Sequence, residues 1–161
     1  MKYCSDCGHL MESQLAWPRR CSHCSRMFFR NPIPVVVALI EVEDGVLTVR
    51  RGIEPQKGQL ALPGGFVDGQ ESWQEAACRE VFEETSLLLQ PQEIHLLEAT
   101  SVDSGHLLLF CGCESRTRRQ IDWQFRSPEV EELVWTQSPI ELAFPAHTRV
   151  VSKHFSNTKK C

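Results

Sequence analysis

Between Gly65 and Leu87 the chain reads GFVDGQESWQEAACREVFEETSL, and this stretch limits what the remainder can build. At 100° per residue, Glu80, Glu83 and Glu84 fall within roughly 100° of arc on one face of a helix. Left alone, such a patch repels itself, because like charges at i,i+4 each cost a helix about 0.2 to 0.5 kcal/mol. A hard divalent cation reverses the sign. Oxygen-only ligands favour magnesium or manganese, which keep several waters and are completed by phosphate oxygens of a substrate. Ala76, one turn earlier on the same face, leaves room for a diphosphate. The turn before the helix, Leu62-Pro63-Gly64-Gly65, brings backbone groups close to an ion or phosphate, and Gly64 is the candidate backbone ligand. Glu71 lies near the helix start, where the dipole favours a carboxylate, and it reaches toward Arg79 two turns on as a structural brace.

The spacing resembles the Nudix signature: Gly, five residues, Glu, seven residues, then Arg-Glu-apolar-x-Glu-Glu-x-Gly-apolar. Gly65, Glu71, Arg79, Glu80, Val81, Glu83, Glu84 and Leu87 match it. Ser86 departs from it, standing where the family has a glycine that takes the left-handed cap conformation. The resemblance implies an α/β fold, an α/β/α sandwich with a mixed β-sheet, and attack of water on one phosphorus of a nucleoside diphosphate linked to another group. On that reading Glu80, Glu83, Glu84 and Gly64 hold magnesium or manganese, and Arg79 and Glu71 complete the catalytic set. Glu83 doubles as general base. Its rival is a glutamate outside the signature, before a late strand, for which Glu129 and Glu132 are candidates and Glu129 is preferred.

Cysteine spacing sets a second constraint. Cys4-x-x-Cys7 and Cys21-x-x-Cys24 are paired knuckles thirteen residues apart, the pattern of a four-cysteine zinc ribbon rather than of disulfides. The segment is too short for a core of its own, so the metal would supply its folding energy. A redox dithiol pair, or a site with His9 or His23 in place of one cysteine, is the competing reading. Closed four-cysteine coordination leaves no open position and assigns this zinc to structure. Asn31-Pro32-Ile33-Pro34 reads as a stiff linker. The expected domains are therefore a zinc ribbon over 1–33 and a Nudix domain over 34–161.

Val35 to Glu41 has the continuous apolar character of a strand buried on both faces, and Val46 to Arg51 returns after Glu43-Asp44-Gly45 as its hairpin partner. Arg50 and Arg51 point to opposite faces there, so one can meet the diphosphate. On the far side of the signature helix, Cys78 and Phe82 are placed for packing. Ile94 to Val102 and His106 to Glu114 are further strands, with Cys111 and Cys113 as core. Arg116, Arg118 and Arg119 read as a solvated basic tip. Pro145 opens a closing helix that carries Val150, Val151, His154 and Phe155, with His147 and His154 as packing or surface residues.

An amino-terminal ribbon joined to a Nudix domain is similar to NADH pyrophosphatases and to ribbon-bearing hydrolases of FAD and ADP-ribose. Residues 88–125 lack the Ser-Gln-Pro-Trp-type motif of the first group, and Asp103 stands near where ADP-ribose hydrolases carry proline. The expected substrate is a small-molecule dinucleotide or nucleotide-sugar diphosphate, its base flanked by Leu60, Phe66 and Trp135. A nucleotide sensor without catalysis and a zinc-ribbon nucleic-acid adaptor are the alternatives. A net charge of −4 argues against a nucleic-acid partner. With neither an 18-residue apolar run nor a charged-then-apolar leader, the sequence predicts a cytoplasmic protein without a membrane span. A homodimer is left open.

Overall fold

The computed structural model describes residues 2–12 and 16–158, which fall into two compact units, Met1–Pro32 and Ile33–Cys161. The first is built on two repeated knuckles. In each, the residue after the second cysteine takes positive φ, Gly8 at +70° and Ser25 at +63°. Its N–H donates to the carbonyl of the first cysteine at 2.9 Å, Gly8 to Cys4 and Ser25 to Cys21. Strands β1 (Arg19–Arg20) and β2 (Met27–Phe28) pair antiparallel beside them. Among the described residues of this unit, only Cys4, Met11 and Cys21 are buried, with Phe28 packed against them.

The second unit opens with β3 (Ile33–Leu39), β4 (Glu41–Val42), β5 (Gly45–Arg51), β6 (Leu60–Ala61) and β7 (Gly64–Phe66). Helix α1 (Trp73–Thr85) follows, then β8 (His95–Ser101), β9 (His106–Gly112), β10 (Val130–Thr136) and helix α2 (Pro145–Thr158). One sheet runs β7-β3-β9-β8 and is mixed, since β3 and β9 are parallel while the outer pairs are antiparallel. The other runs β10-β5-β4, with β6 also on β5, all antiparallel.

Alternation along β3 explains why its apolar run is nearly unbroken. Val36 and Ala38 pack with Ala76, Ala77 and Val81 of α1, whereas Val37 and Leu39 pack with Val150, Val151 and Phe155 of α2. The mixed sheet therefore lies between two helices, an α/β/α arrangement in which successive side chains serve opposite cores. Pro145 occupies the first position of α2. No helix among the described residues is long and apolar enough to cross a membrane.

Local chemistry sets both ends of α1. Ser72 Oγ accepts from Glu75 N–H at 3.2 Å, and Glu75 accepts from Ser72 N–H at 2.7 Å, a reciprocal capping box. At the other end Ser86 takes φ 60° and ψ 10°, its N–H bonded to Phe82 O at 2.8 Å. The serine thus adopts the left-handed cap itself, at the steric cost that a glycine avoids.

Three expectations are corrected. The strand β5 does not pair with β3 as a hairpin partner; the hairpin is made with the short β4, and β5 lies in the other sheet, beside β10 and β6. Phe82 is 47% exposed, because it sits about 100° round from Val81, the middle of the buried face. Arg116 is buried, pairing with Glu93 at 3.1 Å and donating to Glu114 O, so it belongs to the packing and not to a solvated tip.

Candidate active site

The same helical angle grades the acidic residues. Glu84 lies on the edge of the buried face and is 8% exposed; the side chains of Glu80 and Glu83, progressively further round, are 15% and 56% exposed. The glycine turn closes over the two inner ones. Gly64 N–H donates to Glu84 Oε2 at 2.9 Å. A Cβ on Gly64 would stand 2.1 Å from Val36 O, and one on Gly65 would stand 2.3 Å from Glu80 Oε1. Thus β3 backbone excludes a side chain at the first glycine, and at the second a side chain would displace the Glu80 carboxylate.

Arg79 braces this edge. Its Nη2 and Nε donate to the two oxygens of Glu71 at 2.6 and 3.1 Å, and Nη2 also donates to Phe66 O at 3.0 Å. Nη1 reaches Glu80 at 2.8 Å and Glu83 at 3.3 Å. The bidentate pair holds the Glu71 carboxyl below its usual range, helped by Asp68 N–H. Burial acts the other way on the inner pair. It raises Glu80 despite the hydrogen bond from Arg79, and pushes Glu84 up to about 8 against the Gly64 N–H, with the Glu80 charge adding to the rise. Two crowded, desolvated carboxylates are a poor arrangement for an empty surface and a good one for a cation.

Across from α1 stand Ser127, Pro128 and Glu129, which with Glu80, Glu83 and Glu84 line a cleft of about 210 Å³. The loop carrying Glu129 is held from the residue that follows β5: Gly52 N–H donates to Glu129 O at 2.7 Å, and a Cβ on Gly52 would stand 2.8 Å from Pro128 O. Ser127 and Val130 exchange backbone hydrogen bonds at 3.0 and 3.2 Å, closing the turn. Glu132 is elsewhere. It faces Arg50 across the β10–β5 ladder and pairs with it at 2.6 Å, while Arg50 Nη1 donates to Gly58 O. Arg51 donates to Pro55 O and stacks 5.3 Å from the Phe144 ring, and its charge acts on Glu84.

The expected base-flanking residues are not together. Phe66 is exposed against His106, Leu60 packs toward the α2 core, and Trp135 donates from its indole to Val42 O with Arg118 over its ring. His147, expected as a packing or surface residue, is a packing residue that also reaches the glycine turn. Buried against Phe110 and Phe144, it accepts from Leu62 N–H at 3.3 Å and so pins the start of the glycine turn to α2. Burial pushes its imidazole down to about 4, consistent with a neutral acceptor.

The family model described as NUDIX domain matches residues 31–153. The chain belongs to the Nudix family. Its Nudix region is similar to an NAD-capped RNA hydrolase, NudC, of Salmonella heidelberg strain SL476, at 28% identity over 67% of this chain and 47% of the relative. The chain thus spans about half the length of the curated relatives it matches. A Nudix hydrolase structure from Nitrosomonas europaea shares the fold at TM-score 0.67 and 22% identity, covering 99% of this chain and 93% of that one. A bifunctional NMN adenylyltransferase/ADP ribose pyrophosphatase from Francisella tularensis, complexed with AMP and a manganese ion, aligns at TM-score 0.52 and 25% identity over 66% of this chain and 34% of its own.

Outside the Nudix domain, the four cysteines of the first unit converge. Their sulfurs all lie within 4.8 Å of one another, with Cys4–Cys24 at 3.6 Å and Cys7–Cys21 at 3.7 Å. A tetrahedron of sulfurs at a Zn–S distance of about 2.3 Å has edges of about 3.8 Å. The cluster therefore fits a zinc ribbon. The imidazoles of His9 and His23 stack on each other at 5.3 Å.

Proposed function

We propose that this chain is a divalent-metal-dependent pyrophosphohydrolase that cleaves the diphosphate of a nucleoside diphosphate joined to a second moiety, of the dinucleotide or nucleotide-sugar type. The observation that carries the reading is the convergence of Glu80, Glu83, Glu84 and Glu129 on one cleft beneath the glycine turn. An all-oxygen donor set with buried carboxylates suits magnesium or manganese. Glu80, Glu83 and Glu84 are the proposed ligands, with Gly64 contributing backbone. When bound there, the ion would neutralise the diphosphate and polarise the P–O bond to be cleaved.

The chain's own groups do the rest. Gly64 N–H fixes one oxygen of Glu84, and Arg79, anchored on Glu71, fixes Glu80 and restrains Glu83. Glu83 and Glu129 are the exposed members, on opposite walls of the cleft. In this proposal Glu83 takes the proton of the attacking water and Glu129 orients that water. Arg51 offers its charge near Glu84 for a phosphate; Arg50, already paired with Glu132, is the weaker candidate. The substrate class draws support from the relatives, since NAD and ADP-ribose share an adenosine diphosphate joined to a second ribose. In the first unit, zinc held by Cys4, Cys7, Cys21 and Cys24 is assigned a structural role.

The test is hydrolysis of FAD, NADH, ADP-ribose, dinucleoside polyphosphates and nucleoside triphosphates with magnesium or manganese, products being separated by chromatography. Release of a mononucleotide from a diphosphate-linked compound, abolished by Glu83→Gln, is the expected result. Silence across the panel, or full activity in Glu83→Gln, would refute it.

A further inference from the structure

The net charge of −4 conceals a division. Through residue 32 there are five Lys and Arg against two Asp and Glu; beyond it there are twelve against nineteen, so the chain splits into +3 and −7. The positive unit, small as it is, also turns three aromatic rings toward water. Tyr3, Trp17 and Phe29 are 54%, 37% and 66% exposed, in a unit whose buried apolar residues are Cys4, Met11 and Cys21. None of these rings holds the ribbon together. Their exposed faces are apolar surface open to a ligand.

Cations accompany two of them. The Arg19 guanidinium lies 4.6 Å from the Trp17 ring, and Lys2 Nζ lies 5.7 Å from the Tyr3 ring. Arg20 and Arg30 are exposed, and Asp6 is already engaged by Arg26 at 3.4 Å. Flat rings with a cation alongside recognise a ligand that has flat faces and regularly spaced anions. A base stacks on the open face of a ring while its phosphate meets an exposed arginine such as Arg20 or Arg30.

From this juxtaposition we infer that the cysteine ribbon is a binding surface for single-stranded nucleic acid. A duplex hides its base faces and offers only phosphates. An anionic membrane is the poorer match, because the described residues of the ribbon contain no amphipathic helix to lie in an interface. Whole-chain acidity does not oppose the inference, because charge acts over about a Debye length and screens beyond it. Nor does the inference depend on the hydrolysis proposed above.

The test uses the full chain with its zinc, without added magnesium, so that binding is read apart from chemistry. Fluorescence anisotropy follows a labelled mixed-sequence strand of about 12 nucleotides, RNA or DNA, against the same sequence as a duplex. Binding to the single strand in preference to the duplex is expected. The double variant Arg20→Ala/Arg30→Ala should flatten the slope of log affinity against log salt by about 1.4, two phosphates at about 0.7 each. Trp17→Ala should weaken binding about tenfold, the loss of one stacked base. Absence of binding, equal affinity for duplex, or affinity indifferent to both variants overturns the inference. So does capture of the ribbon by phosphatidylserine vesicles, or a Trp17-dependent dimer in light scattering, where the strand does not compete.

Discussion

Glu84→Gln separates what the cleft does for stability from what it does for chemistry. Burial raises the Glu84 carboxyl from an ordinary 4.5 to about 8, so the folded protein binds that proton more tightly than the unfolded chain does. The sign follows from linkage: as pH rises from about 4.5 toward 8, the unfolded chain gives up the proton first and the folded state loses stability. Three to four pH units at 1.36 kcal/mol each set a ceiling of about 5 kcal/mol, and about 2 kcal/mol is expected where cleft water solvates the carboxylate. Glutamine keeps an oxygen to accept the Gly64 N–H but carries no charge to bury. Without added magnesium, Glu84→Gln should therefore match the wild type near pH 5 and exceed it by about 2 to 5 kcal/mol at pH 9. Urea unfolding followed by tryptophan fluorescence, on zinc-loaded protein at several pH values, measures this. Magnesium should then raise the wild-type midpoint at pH 9 and leave the variant unmoved, because an ion that binds only the folded state stabilises it by mass action. Parallel pH profiles for the two proteins would refute the argument that an uncompensated buried carboxylate waits here for a cation.

The glycine turn and the ribbon give two further expectations. Gly65→Ala places a methyl 2.3 Å from Glu80 Oε1, the movable end of a side chain, so diphosphate hydrolysis should fall at least tenfold while the unfolding free energy from urea titration changes by less than about 1 kcal/mol. A large loss of stability with kcat preserved would contradict the assignment of Glu80. Cys4→Ser removes one corner of the sulfur tetrahedron; zinc content by atomic absorption should drop and the ribbon should become protease-sensitive, while the catalytic carboxylates keep their magnesium-dependent activity. Retention of one zinc per chain would point to His9 or His23 as a substitute ligand.

What could be read from the sequence is what local spacing controls. Three glutamates on one helical face, a glycine turn ahead of them, knuckle spacing between cysteines and the proline that opens α2 are each decided within about twenty residues of chain. The doubly buried run at Val36–Leu39 implied a sheet between two layers for the same reason, because only a strand covered on both sides can be apolar at successive positions. The failures are equally physical. Phe82 falls just beyond the buried arc, an angular margin that apolar character alone does not report. Arg116 looked like one charge in a run of three, yet Glu93, 23 residues away, gives its buried guanidinium an acidic partner.

The far wall of the cleft shows the limit most clearly. Glu129 and Glu132 are three residues apart and equally acidic, and their distance from Trp135 does not separate their roles. What separates them is β5 and the residue that follows it, some eighty residues earlier: Gly52 accepts no side chain beside Pro128 and ties Glu129 O, whereas Arg50 takes Glu132. The register shift between Val130 and Glu132 marks where one regime gives way to the other. If that division carries the function, Glu129→Gln should lower kcat with KM little changed, since it removes a group aimed at the water. Glu132→Gln should instead leave kcat intact and free Arg50, an effect visible in KM alone. Equal losses of kcat in both variants would mean that the bulge does not sort these two carboxylates, and that the cleft extends further along β10 than its lining shows.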